Sequence, residues 1–339
     1  MDGRYPRRTT EALGADFAGG RISRYPVNHE IRIGSEDNDP DLDAVGIFDT
    51  RYKAFLEAAG QFRPQLHRYC ARMTGSVMDG EDIMQEVLLE AYQKLGHFED
   101  GRPMGPWLFR IAHNRCIDFL RRNKIRQRAE SLAAMPDIAH PPEPVGREKD
   151  RALERLVINL PPKERACVLL KDVFDYSLED IAGLVDSTVG GVKSALNRGR
   201  SKLANARQPP ESRDAPDPEL TRLLGLYVEL FNRRDWTRLR DVISADARLR
   251  ITNFFAGKLS DSCFFTYFGR MRTPWRFALG TLDGESIAME LHQVDGAWVV
   301  HAATRLDTSG GKIVRMRHYV ECPWVFAAAG SWRFDAPPP

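Results

Sequence analysis

The chain has 339 residues, which at about 100 to 200 residues per domain corresponds to two or three domains and at least one substantial core. Hydrophobic residues make up 42% and charged residues 28%, excluding a wholly disordered chain, and no run of about 18 apolar residues is present to span a membrane as a helix. Lys plus Arg number 49 against 47 Asp plus Glu, and this net charge of +2, taken alone, argues against a strongly polyanionic partner.

Residues 1–32 mix six Arg with four acids and build no continuous apolar segment, so no secretory signal is expected and a cytoplasmic location is. Gly34 to Asp49 holds six acids and no base. Residues 1–48 therefore read as a disordered leader, with order beginning near Asp49. From 49 to 128 apolar residues recur at helical spacing, as in Ile83, Val87, Leu88 and Ala91, then Leu108, Ile111, Ala112 and Phe119. Residues 129–150, with Pro136, Pro141, Pro142 and Pro144, read as a linker, and 151–206 as a second helical domain. A second linker covers 207–218, rich in proline. Residues 219–327 begin with helices near Glu219–Arg233 and Trp236–Ile243 and continue with alternating strands around Ile287–Leu291, Trp298–Ala302 and Val314–Val320. Asp283-Gly284, Asp295-Gly296 and Gly310-Gly311 supply the turns. Residues 328–339 read as a frayed tail.

Five cysteines, Cys70, Cys116, Cys167, Cys263 and Cys322, lie far apart without a C-x-x-C pair, as expected of reduced thiols. His113 and Cys116 are three apart, but no further ligand lies near them in sequence; packing is the expected role, and no metal or cofactor is expected.

The sharpest local pattern runs from Tyr176 to Arg200. Ser177 caps a helix with Leu178, Ile181, Ala182 and Val185 on one face, a turn falls at Asp186 to Thr188, and Val189, Val192, Leu196 and Leu203 form the buried stripe of a second helix. Residues 172–186 carry five acids and no base; 187–207 carry five bases and no acid. An ordinary solvated hairpin shares the apolar spacing, but the segregated charge favours helix-turn-helix geometry with the second helix in the major groove. Basic groups there suit phosphates, and Ser194 or Asn197 suits base edges.

The same segregation occurs upstream, with seven acids against one base in 79–100 and eight bases against one acid in 102–128. Asp82, Gln85, Glu86 and Glu90 share a polar face of the first segment. The second interleaves Arg with Trp107, Phe109 and Phe119, a combination suited to unstacked bases.

Together these residues resemble the extracytoplasmic-function (ECF) sigma factors, the promoter-recognition subunits of bacterial RNA polymerase. The resemblance rests on Asp-x-x-Gln-Glu-Val at Asp82 to Val87, Trp-Leu-x-Arg-Ile-Ala-x-Asn at Trp107 to Asn114, then Asp118, Leu120, Arg121 and Arg122, Leu-Pro-x-x-x-Arg at Leu160 to Arg165, and the helix-turn-helix. It covers a little under half of the chain. It implies a sigma region 2 domain at 49–128, in which Asp82, Gln85 and Glu86 contact core polymerase. Trp107, Asn114, Arg115, Arg121 and Arg122 would face −10 DNA, and the Phe98 to Pro106 loop would hold an extruded base. A region 4 domain at 151–206 is implied to read the −35 element through Thr188, Lys193, Ser194, Asn197, Arg198 and Arg200. Gly191 and Ala195 stand where the family often has Thr and Arg, which removes an Arg contact at 195 from the implied set. The 22 residues of the first linker reach roughly 70 to 80 Å when extended, enough for two duplex turns of about 34 Å.

The third block, with Phe231 to Trp236, Asp241 to Asp246 and Gly311 to Val314, resembles the SnoaL-like group of the nuclear-transport-factor-2-like fold, an α+β cone. The implied architecture is multidomain, two all-α sigma domains followed by this cone. The implied function is promoter-specific initiation by a protein that is not itself an enzyme, with core polymerase and promoter DNA as partners and the third domain modulating activity. The alternative is a bifunctional chain whose third domain senses a small-molecule ligand or acts as a polyketide-cyclase-like enzyme. The acid and base groups available for that are Asp246, His292, His301 and His318. Trp275, Trp298 and Trp324 are expected in the core or lining the pocket.

Overall fold

The computed structural model describes residues 42–98, 102–130, 157–205 and 217–335; for 42–51 and 126–130 it describes the backbone alone. The leader before residue 42, most of both expected linkers and the last four residues lie outside the described residues.

The first domain is built from α1 (Leu42–Thr74), α2 (Val77–Lys94) and α3 (Met104–Glu130). Helix α1 starts seven residues before the expected onset of order at Asp49, within the acid-rich stretch. Gly75, at φ 85°, ends α1 in the left-handed conformation. The next residue, Ser76, caps α2 by accepting from the Asp79 amide. The resulting hairpin is tight. A Cβ at Gly80 would lie 2.6 Å from Ala71 Cα, so the two helices meet backbone to backbone there.

The second helical domain comprises α4 (Pro162–Val168), continued by a π turn, then α5 (Leu178–Leu184) and α6 (Val189–Asn205). It shares one core with the first. Leu66, Tyr69, Met84, Leu108 and Phe109 are continuous with Leu160, Cys167, Leu170, Ile181 and Leu196. Phe109 contacts Phe174 and Tyr176 at ring separations of 5.5 and 5.4 Å. The motif arginine, Arg165, is buried and donates to the carbonyls of Ile158, Leu160 and, across the domain boundary, Met73 in the last turn of α1. Burial lowers its pKa to about 10, so it remains a cation that satisfies a helix C-terminus.

The third domain packs helices against one seven-stranded sheet, the α+β architecture expected. Helices α7 (Pro218–Asn232) and α8 (Trp236–Asp241) lead into β1 (Ile243–Ile251) and β2 (Phe255–Lys258). After α9 (Phe264–Arg270) come β3 (Trp275–Leu282), β4 (Glu285–Val294), β5 (Ala297–Ser309) and β6 (Lys312–Val320), then α10 (Pro323–Ala328) and β7 (Trp332–Phe334). The strand order is β2-β1-β6-β5-β4-β3-β7, antiparallel except for β1 beside β6. The expected Asp-Gly turns form, with Asp283 and Gly284 at φ 50° and 81°. Strand β7 falls in the expected tail; it is held by pairing with β3, and three residues are too few to show a period.

One sheet face, with Trp275, Phe277, Ala288 and Met316, packs on Leu223, Tyr227 and Phe231 of α7 and on Phe264 and Phe268 of α9. The other, with Ile287, Met289, Leu291, Val300 and Ala303, packs on α10 and on Ala71, Val77 and Met78 of the first domain. The sheet thus lies between its own helices and the α1–α2 hairpin.

Candidate functional site

In the helix-turn-helix, Ser177 Oγ accepts from the Asp180 amide at 3.0 Å and donates to Asp180 Oδ2 at 2.6 Å, capping α5 as the sequence predicts. Asp186 takes the left-handed turn at φ 48°. Thr188 Oγ1 accepts from the Gly191 amide, so the residue expected at DNA also starts α6. Thr188, Lys193, Ser194, Asn197, Arg198 and Arg200 all lie exposed. Two of these cations have acidic partners. Arg198 Nε and Lys202 Nζ reach the two oxygens of Glu164, which is nearly buried, at 3.0 and 2.8 Å. The bond from Lys202, against the opposing effect of burial, holds the Glu164 carboxyl below its usual range. Arg200 forks onto Asp172. Ala195 is fully buried, in the core beside Val192 and Leu196.

The acidic helix α2 is covered by the third domain. Asp82 Oδ2 accepts from Arg317 Nη1 at 2.9 Å and from the Tyr319 hydroxyl at 3.3 Å, and Arg250 lies 3.8 Å from its other oxygen. Asp79 Oδ1 accepts from Arg305 Nη1 at 2.5 Å. Glu81, fully buried, takes bonds from Trp324 Nε1 at 2.6 Å, Gln85 at 3.0 Å and Arg63 at 3.3 Å. Burial pushes its carboxyl upward in pKa, opposed by Arg63 and these bonds. Arg63 also lies over the Trp324 ring. Trp324, expected in the core or lining the pocket, packs against the core that the third domain shares with Ala71, Val77 and Met78 and so lies at the domain boundary. Of the three expected polymerase contacts, Asp82 is engaged by the third domain, Gln85 is half-buried, and Glu86 is 40% exposed near Arg115. A cleft of about 540 Å³ separates α2 and α3 from β1, β2 and β6, lined by Asp82, Glu86, Arg122, Arg248, Arg250 and Arg317 among others.

On α3, Asn114, Arg121 and Arg122 are exposed, while Trp107 is half-buried with its ring 4.7 Å from that of Phe98. Arg115 Nε donates to Glu90 at 2.5 Å, tying α3 to α2. The loop expected to hold a base is described only at Phe98 and from 102 onward, and residues 104–106 are already helical. His113 is packed, with Nδ1 2.9 Å from the Tyr69 hydroxyl, and Cys116 is buried.

In the third domain three of the four expected acid–base candidates converge and the fourth does not. Asp246 is exposed beside Lys258. His292, His301 and His318 gather around Glu290, which sequence reasoning missed. Its signal was available: a carboxylate between Met289 and Leu291 at the inward position of an apolar strand. Glu290 Oε1 is 2.5 Å from His292 Nε2, and Oε2 is 3.2 Å from His318 Nε2. Burial would raise the Glu290 pKa, but the bonds from His292 and His318 and the surrounding imidazoles bring it to about 2. Burial lowers His301 to about 4 against the pull of Glu290. The pattern predicts that Trp298, Val300 and Ala302 share a face. Instead Glu290 pairs with Ala302 and Leu291 with Val300, leaving His301 as a bulge.

The Sigma-70 region 2 family profile matches residues 59–125 and the Sigma-70 region 4 profile matches 150–203. The ECF RNA polymerase sigma factor SigG of Mycobacterium tuberculosis is 33% identical over 227 residues, 59% of this chain and 61% of SigG. The chain thus spans about three-fifths of that relative's length. SigW of Bacillus subtilis, another ECF sigma factor, is 30% identical over 162 residues, 44% of this chain and 87% of SigW. The crystal structure of the M. tuberculosis ECF sigma factor SigJ is 16% identical with a TM-score of 0.31, covering 80% of this chain and 97% of that one. The two helical domains carry sigma-70 regions 2 and 4 in order. Within that class, the chain belongs to the ECF RNA polymerase sigma factors. No described helix is long and apolar enough to cross a membrane.

Proposed function

We infer that this protein binds core RNA polymerase and directs promoter-specific initiation in the cytoplasm, with α2 docking on core, α3 engaging the −10 element and α6 reading the −35 element. The observation that carries the reading is the ordered match of regions 2 and 4 to two helical domains with segregated charge. Asp82, Gln85 and Glu86 serve core docking. Trp107, Asn114, Arg115, Arg121 and Arg122 serve −10 DNA, and Thr188, Lys193, Ser194, Asn197, Arg198 and Arg200 serve −35 DNA. Neither role requires covalent chemistry. The test is transcription in vitro from genomic fragments with purified core enzyme: promoter-specific transcripts that depend on the full chain are expected, and their absence with folded protein refutes the reading.

The third domain, on this reading, restrains activity. Arg305 and Arg317 engage the same helix that would meet polymerase. The shared core of regions 2 and 4 is also incompatible with contacts two duplex turns apart. Activation then requires the third domain to leave α2 and region 4 to separate from region 2. Replacing Arg305 and Arg317 together by Glu in the full chain should raise promoter output; unchanged output counts against restraint.

A further inference from the structure

The interior of the third domain carries a cluster that sigma function does not use. Glu290, His292 and His301 place one ligand atom each within 4.8 Å of one another. Glu290 is 1% and His292 5% exposed, whereas His301 is partly exposed. The bulge in β5 brings His301 over His292, with the rings stacked 4.0 Å apart at 14°. Without that extra residue, strict alternation would not set His301 beside His292 in this way. His318 adds an outer contact: its Nε2 lies 3.2 Å from Glu290 Oε2, and its Nδ1 is held by Thr304 Oγ1 at 2.9 Å. The surroundings are aromatic, with Phe264 and Phe268 against His318.

We propose that Glu290, His292 and His301 form a binding site for a divalent first-row transition-metal ion of the Zn²⁺ type, with His318 orienting the carboxylate. Two imidazoles and one carboxylate are the donor set such ions take, and a hard ion such as Ca²⁺ or Mg²⁺ would require oxygen ligands instead. Tetrahedral ligands at bonds of about 2.0–2.1 Å stand roughly 3.3 Å apart. To admit the ion, the Glu290–His292 pair, now at 2.5 Å, opens by under about 1 Å and the stacked His292 and His301 rings tilt until their nitrogen lone pairs converge, both side-chain adjustments. Glu290 is held as a carboxylate by its bonds to His292 and His318, and a bound ion would take over the compensation that His292 now provides. The Thr304–His318–Glu290 chain is the kind of outer support that fixes ligands in metal centres.

The experiment is titration of the chelator-treated full-length protein with Zn²⁺ by calorimetry and with Co²⁺ by visible absorption. One equivalent is expected to bind saturably, with Co²⁺ bands of nitrogen and oxygen ligation and without thiolate charge transfer. H301A, at a partly exposed position, and E290Q should each abolish binding or weaken it at least about tenfold, and H318A should weaken it about 10- to 100-fold. Cys263→Ala, which removes the exposed thiol, should leave it unchanged. If E290Q fails to fold, as judged by circular dichroism, H301A decides. Absence of saturable binding in the parent protein, or binding that survives in folded H301A, overturns the proposal.

Discussion

Truncating Arg317 to Ala tests whether the third domain masks α2, the helix proposed to dock on polymerase. Its guanidinium bridges Asp82 at 2.9 Å and Asp307 at 2.6 and 2.7 Å, with the Arg317 side chain 16% and that of Asp82 15% exposed. Burial works against the charged form of Arg317, yet the acids around it raise its pKa, so the cation is firmly held. Removing one partner of a fully buried pair costs about 3–5 kcal/mol. Here residual exposure and the remaining contacts of Asp82 with Tyr319 and Arg250 reduce this to about 2 kcal/mol. The cost falls on the closed arrangement, because an open Asp82 regains water. A change of about 2 kcal/mol shifts the closed-to-open ratio about 30-fold, and where the closed form dominates, apparent affinity for core polymerase tightens by up to that factor. Fluorescence anisotropy of the labelled chain against core enzyme measures it, with Arg333→Ala, on an exposed site of β7, as control. Hydrogen exchange over residues 77–94 reports opening independently. Faster exchange there with core affinity within about twofold of the parent would refute masking.

Gly80→Ala should separate α1 from α2 and destabilise the first domain by about 1–3 kcal/mol or more in denaturant unfolding, since its Cβ would meet Ala71 backbone; a neutral substitution would mean that the contact is loose. Buried His67 donates through Nε2 to the Val77 carbonyl at 2.8 Å. Burial, aided by Arg72 and Arg63 and opposed by that bond, lowers its pKa from 6.5 to about 4. Below pH 6.5 the unfolded chain binds the extra proton, so stability is full above that value and falls towards pH 4 by on the order of 3 kcal/mol. H67Q should flatten this part of the pH profile, and an unaltered slope would assign it to other groups. Lys193→Ala should weaken binding to all promoter sequences and lower the log–log salt slope by about 1, whereas Asn197→Ala should relax preference at one base pair by about 1–3 kcal/mol. An unchanged slope for the first would remove Lys193 from the phosphate contacts.

The helix-turn-helix was legible in the sequence because its information is local. Ser177 caps by hydrogen-bonding three residues on, Asp186 turns the chain, and Val192 and Leu196 repeat at helical spacing, so the short range of these forces matches the range of a sequence motif. The Asp-Gly hairpins and the acidic and basic helices were legible for the same reason. The start of α1 and strand β7 were not, since the one lies in an acid-rich stretch and the other has three residues held by pairing. Glu290 illustrates the limit: 290, 292, 301 and 318 come from three strands, and a one-residue bulge decides that His301 joins them. The sequence by itself determined the two helical domains, their charge and their family. Tertiary structure alone decided that Arg305 and Arg317 close over Asp79 and Asp82, because ion pairs between residues more than 200 positions apart form only when packing brings two separately encoded surfaces together.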